Sequence, residues 1–173
     1  MSSIDETSKV YNIITDQLSD LENVLILNYN YTSSIDYILN QRSLKYDILS
    51  VHGNAKNSKI VFGVEDQARI NEDDVFLKKS ACLWNEVQDI NKILQKAKNI
   101  IFLGYSLGET DHHYFDDFFR SSSFSYSEKK SIIISHYKED GMYDVLKQLD
   151  KLTSNRIQNL RTHQDFRMFD LSE

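Results

Sequence analysis

The sequence predicts an α/β fold with a mainly parallel sheet, and three observations carry that expectation. Val24-Leu25-Ile26-Leu27, Ile100 to Leu103 and Ile132-Ile133-Ile134 are short apolar runs without in/out alternation. Such runs suit strands covered on both faces, as in a parallel sheet. Stretches with apolar residues at helical spacing fall between them, and strands that alternate with helices indicate a layered α/β arrangement. Finally, three of the strands end in polar or glycine-containing segments. In open α/β sheets that edge is where ligands bind. No internal repeat, low-complexity tract or boundary interrupts the chain, so residues 1–173 read as a single domain.

The elements follow in order. Residues 7–21 place Val10, Tyr11, Ile13, Ile14, Leu18 and Leu21 at the spacing of an amphipathic helix. The Val24 strand follows and is broken by Asn28-Tyr29-Asn30-Tyr31-Thr32; Ser33 or Ser34 can cap a helix to about residue 41. Tyr46 to Val51 reads as a second strand stopping at His52-Gly53, and Lys59 to Val64 as a third ending near Gly63. Residues 65–75, with Glu65, Asp66, Glu72, Asp73 and Asp74, look like an exposed loop. Helical spacing runs from Phe76 to Ala97, and the Ile100 strand passes into Gly104-Tyr105-Ser106-Leu107-Gly108. A helix from about Thr110 to Arg120, a serine-rich connection, the Ile132 strand and a last helix around Tyr143, Leu146 and Leu149 complete the chain.

Composition narrows the function classes. The chain has 173 residues, no proline and five glycines: Gly53, Gly63, Gly104, Gly108 and Gly141. With 40% hydrophobic and 12% aromatic residues it can bury enough apolar surface to fold, which excludes a disordered tail. Lys and Arg number 20 against 26 Asp and Glu, a formal charge of −6. Broad nucleic-acid binding needs a basic surface and is not expected; a local site for one anionic ligand remains open. Cys82 is the only cysteine, which excludes an intrachain disulfide and reads as a small core residue. No apolar run reaches membrane-spanning length, and residues 1–20 lack the pattern of a signal peptide. The expectation is a cytoplasmic protein without membrane contact.

If the sheet is parallel, the strand ends at Asn28–Thr32, His52-Gly53 and Gly104–Gly108 project from one edge. Gly104 admits close backbone approach, and Ser106 with the amides before Thr110 can bond a phosphate or ribose hydroxyl. Asn30 offers an amide that donates and accepts, for orienting water or a sugar hydroxyl. His52 suits a general base near neutral pH. Gly104, Ser106 and Gly108 also have the spacing of a nucleophile elbow. Plainer readings stand beside these. His52 also reads as a strand-end histidine bonded to a carbonyl, Asn28 and Asn30 as turn caps, and Gly104 and Gly108 as turn formers. His112, His113, Asp116 and Asp117 have i,i+4 spacing but no third ligand cluster, so they read as a solvated helix face and no metal is expected.

Taken in order, Asn30-Tyr31-Thr32 with Asp36, His52-Gly53, Phe62-Gly63, and Gly104–Gly108 with Asp111 and Tyr114-Phe115 resemble the AbiH family of phage abortive-infection proteins. The resemblance runs from about residue 24 to residue 136. That family is in turn similar to the SIR2-like group, and this implies a Rossmann-like three-layer fold that binds NAD. The resemblance implies that Asn30 and His52 are catalytic in cleavage of NAD to nicotinamide and ADP-ribose. It implies further that Asn28, Tyr31, Thr32, Gly53, Gly104, Tyr105, Ser106, Leu107 and Asp111 line a nucleotide pocket. Thr32 replaces the carboxylate of the group's Asn-x-Asp motif, and residues 1–23 contain no glycine. The first strand and its phosphate-holding glycine loop are therefore expected to be missing, as in the later part of a longer protein or a variant without the loop. The alternative expectation is a non-catalytic sensor or interaction module for a phage component or a second copy of the chain.

Overall fold

A computed structural model of the chain describes residues 23–30, 45–54, 59–60, 69–77 and 90–172. The expected helices at 7–21 and 33–41, Gly63, Cys82 and the site candidates Tyr31 and Thr32 lie outside the described residues. So does the segment before Val24 on which the missing glycine loop was expected. The chain divides into two units, Met1–Gln88 and Asp89–Glu173.

In the first unit β1 (Val24–Asn28) pairs in parallel with β2 (Tyr46–Ser50), from Val24 opposite Tyr46 to Asn28 opposite Ser50. The Val24 run and the Tyr46 strand thus form a parallel ladder, with Leu25 and its partner Asp47 both left exposed. The next pair differs from expectation. β3 (Gly53–Asn54) and β4 (Lys59–Ile60) are antiparallel, so the strand beginning at Lys59 is not a further parallel one. Only residues 55–58 join them, and a parallel crossover needs about a dozen. The acidic segment is also more ordered than a loop: Glu72–Leu77 is a 3-10 helix. Asp74 donates its backbone N–H to the Asn71 carbonyl at 3.0 Å, and Glu72 and Asp73 stay exposed in its first turn.

The second unit holds a three-stranded parallel sheet in the order β5 (Asn99–Phe102), β6 (Ser131–His136) and β7 (Asp165–Asp170). The central strand carries Ile132, Ile133 and Ile134, all buried, as the unbroken isoleucine run requires. Helices α1 (Ile90–Lys96), α2 (Asp116–Ser122), α3 (Lys138–Leu152) and α4 (Ile157–His163) accompany it. Helix α2 is the hub and packs on α1, α3 and α4. Phe115, Phe118 and Phe119 are at most 1% exposed. The Phe119 ring stacks on Phe102 at 5.6 Å, and Phe115 meets Phe102 edge-on at 5.6 Å. Fully burying side chains of this kind is worth roughly 1.5–3 kcal/mol each.

Two departures from expectation have clear causes. The helix anticipated from Thr110 to Arg120 is split into a 3-10 helix, Glu109–Tyr114, and α2. The tighter first part is tied backward, because the Tyr105 hydroxyl donates to Asp111 at 2.5 Å and the His112 Nε2 lies 3.1 Å from the Leu107 carbonyl. Strand β7 and helix α4 were not anticipated at all. Asp165, Arg167 and Asp170 interrupt the apolar character of β7, as charges commonly do at a sheet edge. The turn from α3 to α4 uses Ser154 (φ 53°) and Asn155 (φ 62°) where glycine is usual.

Two buried polar side chains tie the unit together. Gln164 accepts the Lys130 backbone N–H at 2.7 Å and donates to the Ser122 carbonyl at 2.9 Å and the Ser127 hydroxyl at 2.8 Å. The Lys130 ammonium donates to the Gln95 and Ala97 carbonyls at 2.7 Å each, placing a cation at the carboxyl end of α1. Among the described residues no helix is long and apolar enough to cross a membrane. Taken by themselves, the described elements are of α/β, Rossmann-like character, with parallel strands in each unit and one antiparallel pair in the first.

Candidate functional site

The parallel pairing of β1 and β2 brings two of the sequence-selected segments to one edge. Asn28 ends β1 opposite Ser50, and its carbonyl accepts the Val51 N–H at 2.9 Å. Its side-chain Oδ1 accepts the Asn30 N–H at 3.0 Å, closing an Asx turn. Asn28 is 7% exposed, so its carboxamide shapes the turn, while Asn30 is presented to solvent. The chain reverses again after β2: Gly53 has φ 81°, a conformation that costs glycine little. Between Val51 and Gly53 the half-buried His52 ring packs edge-on against Tyr29, centroids 5.4 Å apart. Asn28, Tyr29, Asn30, His52 and Gly53 therefore form one cluster.

Gly104, Tyr105, Ser106, Leu107 and Asp111 form a second cluster, in the other unit, after β5. Gly104 has φ 61°, and a Cβ added there would meet nothing within 4 Å, so its α-carbon faces open space. Its N–H donates to the Ser135 hydroxyl at 2.7 Å. Ser106 is exposed, whereas Leu107 is fully buried at φ 53°. A leucine in that region is costly and persists where surrounding structure fixes it, here by burial and the His112 bond to its carbonyl. Asp111, 7% exposed, receives the Tyr105 hydroxyl.

This geometry corrects the nucleophile-elbow spacing. The chain reversals sit at Gly104 and Leu107, not at Ser106, and the neighbouring His112 serves the Leu107 carbonyl. Gly108 has φ −55°, and a Cβ there would meet the Ser106 Oγ at an ordinary 3.8 Å, so its spacing to Ser106 reflects no conformational need. The His113 ring lies against Tyr114, centroids 3.8 Å apart. Among the described residues no group of three His, Cys, Asp or Glu side chains is placed to hold a metal ion.

Sequence reasoning missed the ends of β6 and β7. Ser135 is 3% exposed and carries the Gly104 turn. At the neighbouring strand end Asp170 accepts the Ser172 N–H and hydroxyl at 2.8 and 2.7 Å and the Lys138 N–H at 3.0 Å. The Ser172 donors, with lesser help from Lys138 and His136, hold its carboxyl down at about 2 rather than 3.8. A depressed carboxylate stabilises the fold above its ordinary value, and that contribution is lost as pH falls through the folded one. Asp170→Asn is therefore expected to flatten the decline in stability between pH 3.8 and about 2. Urea midpoints across that window check it; a variant whose decline matches that of the parent contradicts it.

No curated protein and no solved structure matches the chain. The family described as "Bacteriophage abortive infection AbiH" matches residues 2–137, a span that contains both clusters and the turn between Gly104 and Asp111. The polar strand ends after β1, β2 and β5 and a match over most of the chain converge: this chain belongs to the AbiH family of bacteriophage abortive-infection proteins.

Proposed function

We propose that the chain binds a NAD-type nucleotide and hydrolyses its nicotinamide–ribose bond, in the manner of a SIR2-like protein. The observation that carries this reading is the joining of Asn30 and His52 at one carboxyl edge of a parallel strand pair, where α/β folds receive ligands. The Gly104 turn fits a nucleotide as well. Its α-carbon faces open space, and the exposed Ser106 hydroxyl can donate to a ribose or phosphate oxygen.

In this reading Asn30 and His52 supply the chemistry. Water forms the new bond to the ribose C1′ while the bond from C1′ to the pyridinium nitrogen breaks. The bonding pair passes to that nitrogen, giving neutral nicotinamide, and the proton lost by water passes to His52. Asn30 orients the water or a ribose hydroxyl. Asn28 acts on neither directly and holds the turn that presents Asn30.

Incubating the protein with NAD tests the proposal. The expected result is nicotinamide and ADP-ribose released in equal amounts. NAD left intact over many hours at high protein concentration would overturn the hydrolytic reading.

A further inference from the structure

We propose that Ser135 is a positioning residue that sets the nucleotide-receiving shape of the Gly104–Asp111 turn, an inference that rests on the reading just given. Ser135 follows Ile134, the last β6 residue paired with β5. Beyond that pair a regular ladder would continue; instead Gly104 turns away at φ 61°. A backbone N–H leaving a ladder needs a new acceptor. The Ser135 hydroxyl supplies it, accepting from Gly104 at 2.7 Å and donating to the Phe102 carbonyl at 3.2 Å. One buried hydroxyl therefore spans both sides of the departure point, and its two bonds fix where Gly104 leaves the sheet.

The rest of the turn is anchored elsewhere. Tyr105 is tied to Asp111, and the Leu107 carbonyl to His112. These bonds close the loop upon itself, and the bond to Ser135 fixes the point where it leaves the sheet. Without that bond Gly104 loses its fixed departure, and Ser106, two residues on, shifts with it. The loss should appear in nucleotide affinity more than in folding.

Ser135→Thr and Ser135→Val make a matched pair, equal in shape and differing in the hydroxyl, with Ser135→Ala as the smaller truncation. Calorimetric titration of the full chain with ADP-ribose is expected to show Kd raised about tenfold in the Val and Ala variants, the loss of one hydrogen bond's worth, and near-parental in Thr. Amide hydrogen exchange at Gly104 should quicken in Val and Ala and stay slow in Thr. Parental Kd, or unchanged Gly104 exchange, in both hydroxyl-free variants would overturn the positioning role alone. A parental chain that does not bind ADP-ribose would overturn the nucleotide reading and this inference with it.

Discussion

Phe119→Ala is expected to destabilise the carboxyl-terminal unit by about 3–5 kcal/mol, the usual cost of deleting a buried phenylalanine ring from a core that cannot collapse around the gap. Phe119 is fully buried at the centre of α2, stacked on Phe102 and edge-on to Phe118 at 5.0 Å. Its helix packs on three others, so no single element can move in to fill the space without losing contacts elsewhere. Against a typical total stability of about 5–15 kcal/mol, such a loss leaves a large unfolded fraction. Urea unfolding followed by circular dichroism measures it directly. Phe119→Leu, which keeps most of the volume, is expected to cost much less, about 1.5 kcal/mol or below. Near-equal midpoints for parent and Phe119→Ala would mean that α2 is not the hub of this unit.

The second large effect concerns chemistry rather than stability. If His52 takes the proton from the attacking water, His52→Ala should lower nicotinamide release roughly 10²–10⁴-fold, the usual contribution of a positioned acid–base group. The variant also loses the edge-on contact with Tyr29, a stability cost of about 0.5–1.5 kcal/mol. These two consequences separate by measurement. Affinity for ADP-ribose should be kept while turnover is lost, because a group that accepts a proton acts on the reaction step rather than on binding. The neighbouring asparagines should likewise divide. Asn30→Ala removes an exposed side chain and should reduce turnover without loosening the Asx turn. Asn28→Ala removes the Oδ1 that accepts the Asn30 N–H, and should do both.

How much of this was readable from residues alone follows from what each element depends on. Strand β6 was legible because a doubly covered strand must be apolar without alternation, and Ile132–Ile134 is buried throughout. Strands β1 and β5 showed as apolar runs and β2 as an apolar-rich stretch, although Leu25 is 46% exposed and Asp47 lies on the surface. Strand β7 was hidden by the charges at Asp165, Arg167 and Asp170, which suit a sheet edge but erase the apolar run. The antiparallel β3–β4 pair turned on connection length, not on the composition of Lys59–Val64. The helix break near Phe115 was invisible because side-chain bonds set it, Tyr105 to Asp111 and His112 to Leu107, and no local propensity encodes those. The turn after α3 lacked its usual signal, since Ser154 and Asn155 take the positive φ that a search for glycine would miss. The site divides the same way. Asn28, Asn30, His52 and Gly104 stood out as polar or glycine residues ending apolar runs. Ser135 closes such a run too, yet a serine there carries no motif, and only the bond from Gly104 shows what it does.

Whether this AbiH chain holds a NAD-type nucleotide is read most directly from its melting temperature measured against rising ADP-ribose. A ligand that binds only the folded state adds about 2.7 kcal/mol at a hundredfold excess over Kd. For a chain of this size that amounts to roughly 5–10 °C. The melting temperature is expected to climb with the logarithm of ADP-ribose concentration, and to climb less in the Ser135→Val chain. A melting temperature that stays flat to millimolar ADP-ribose, and to NAD, would contradict it.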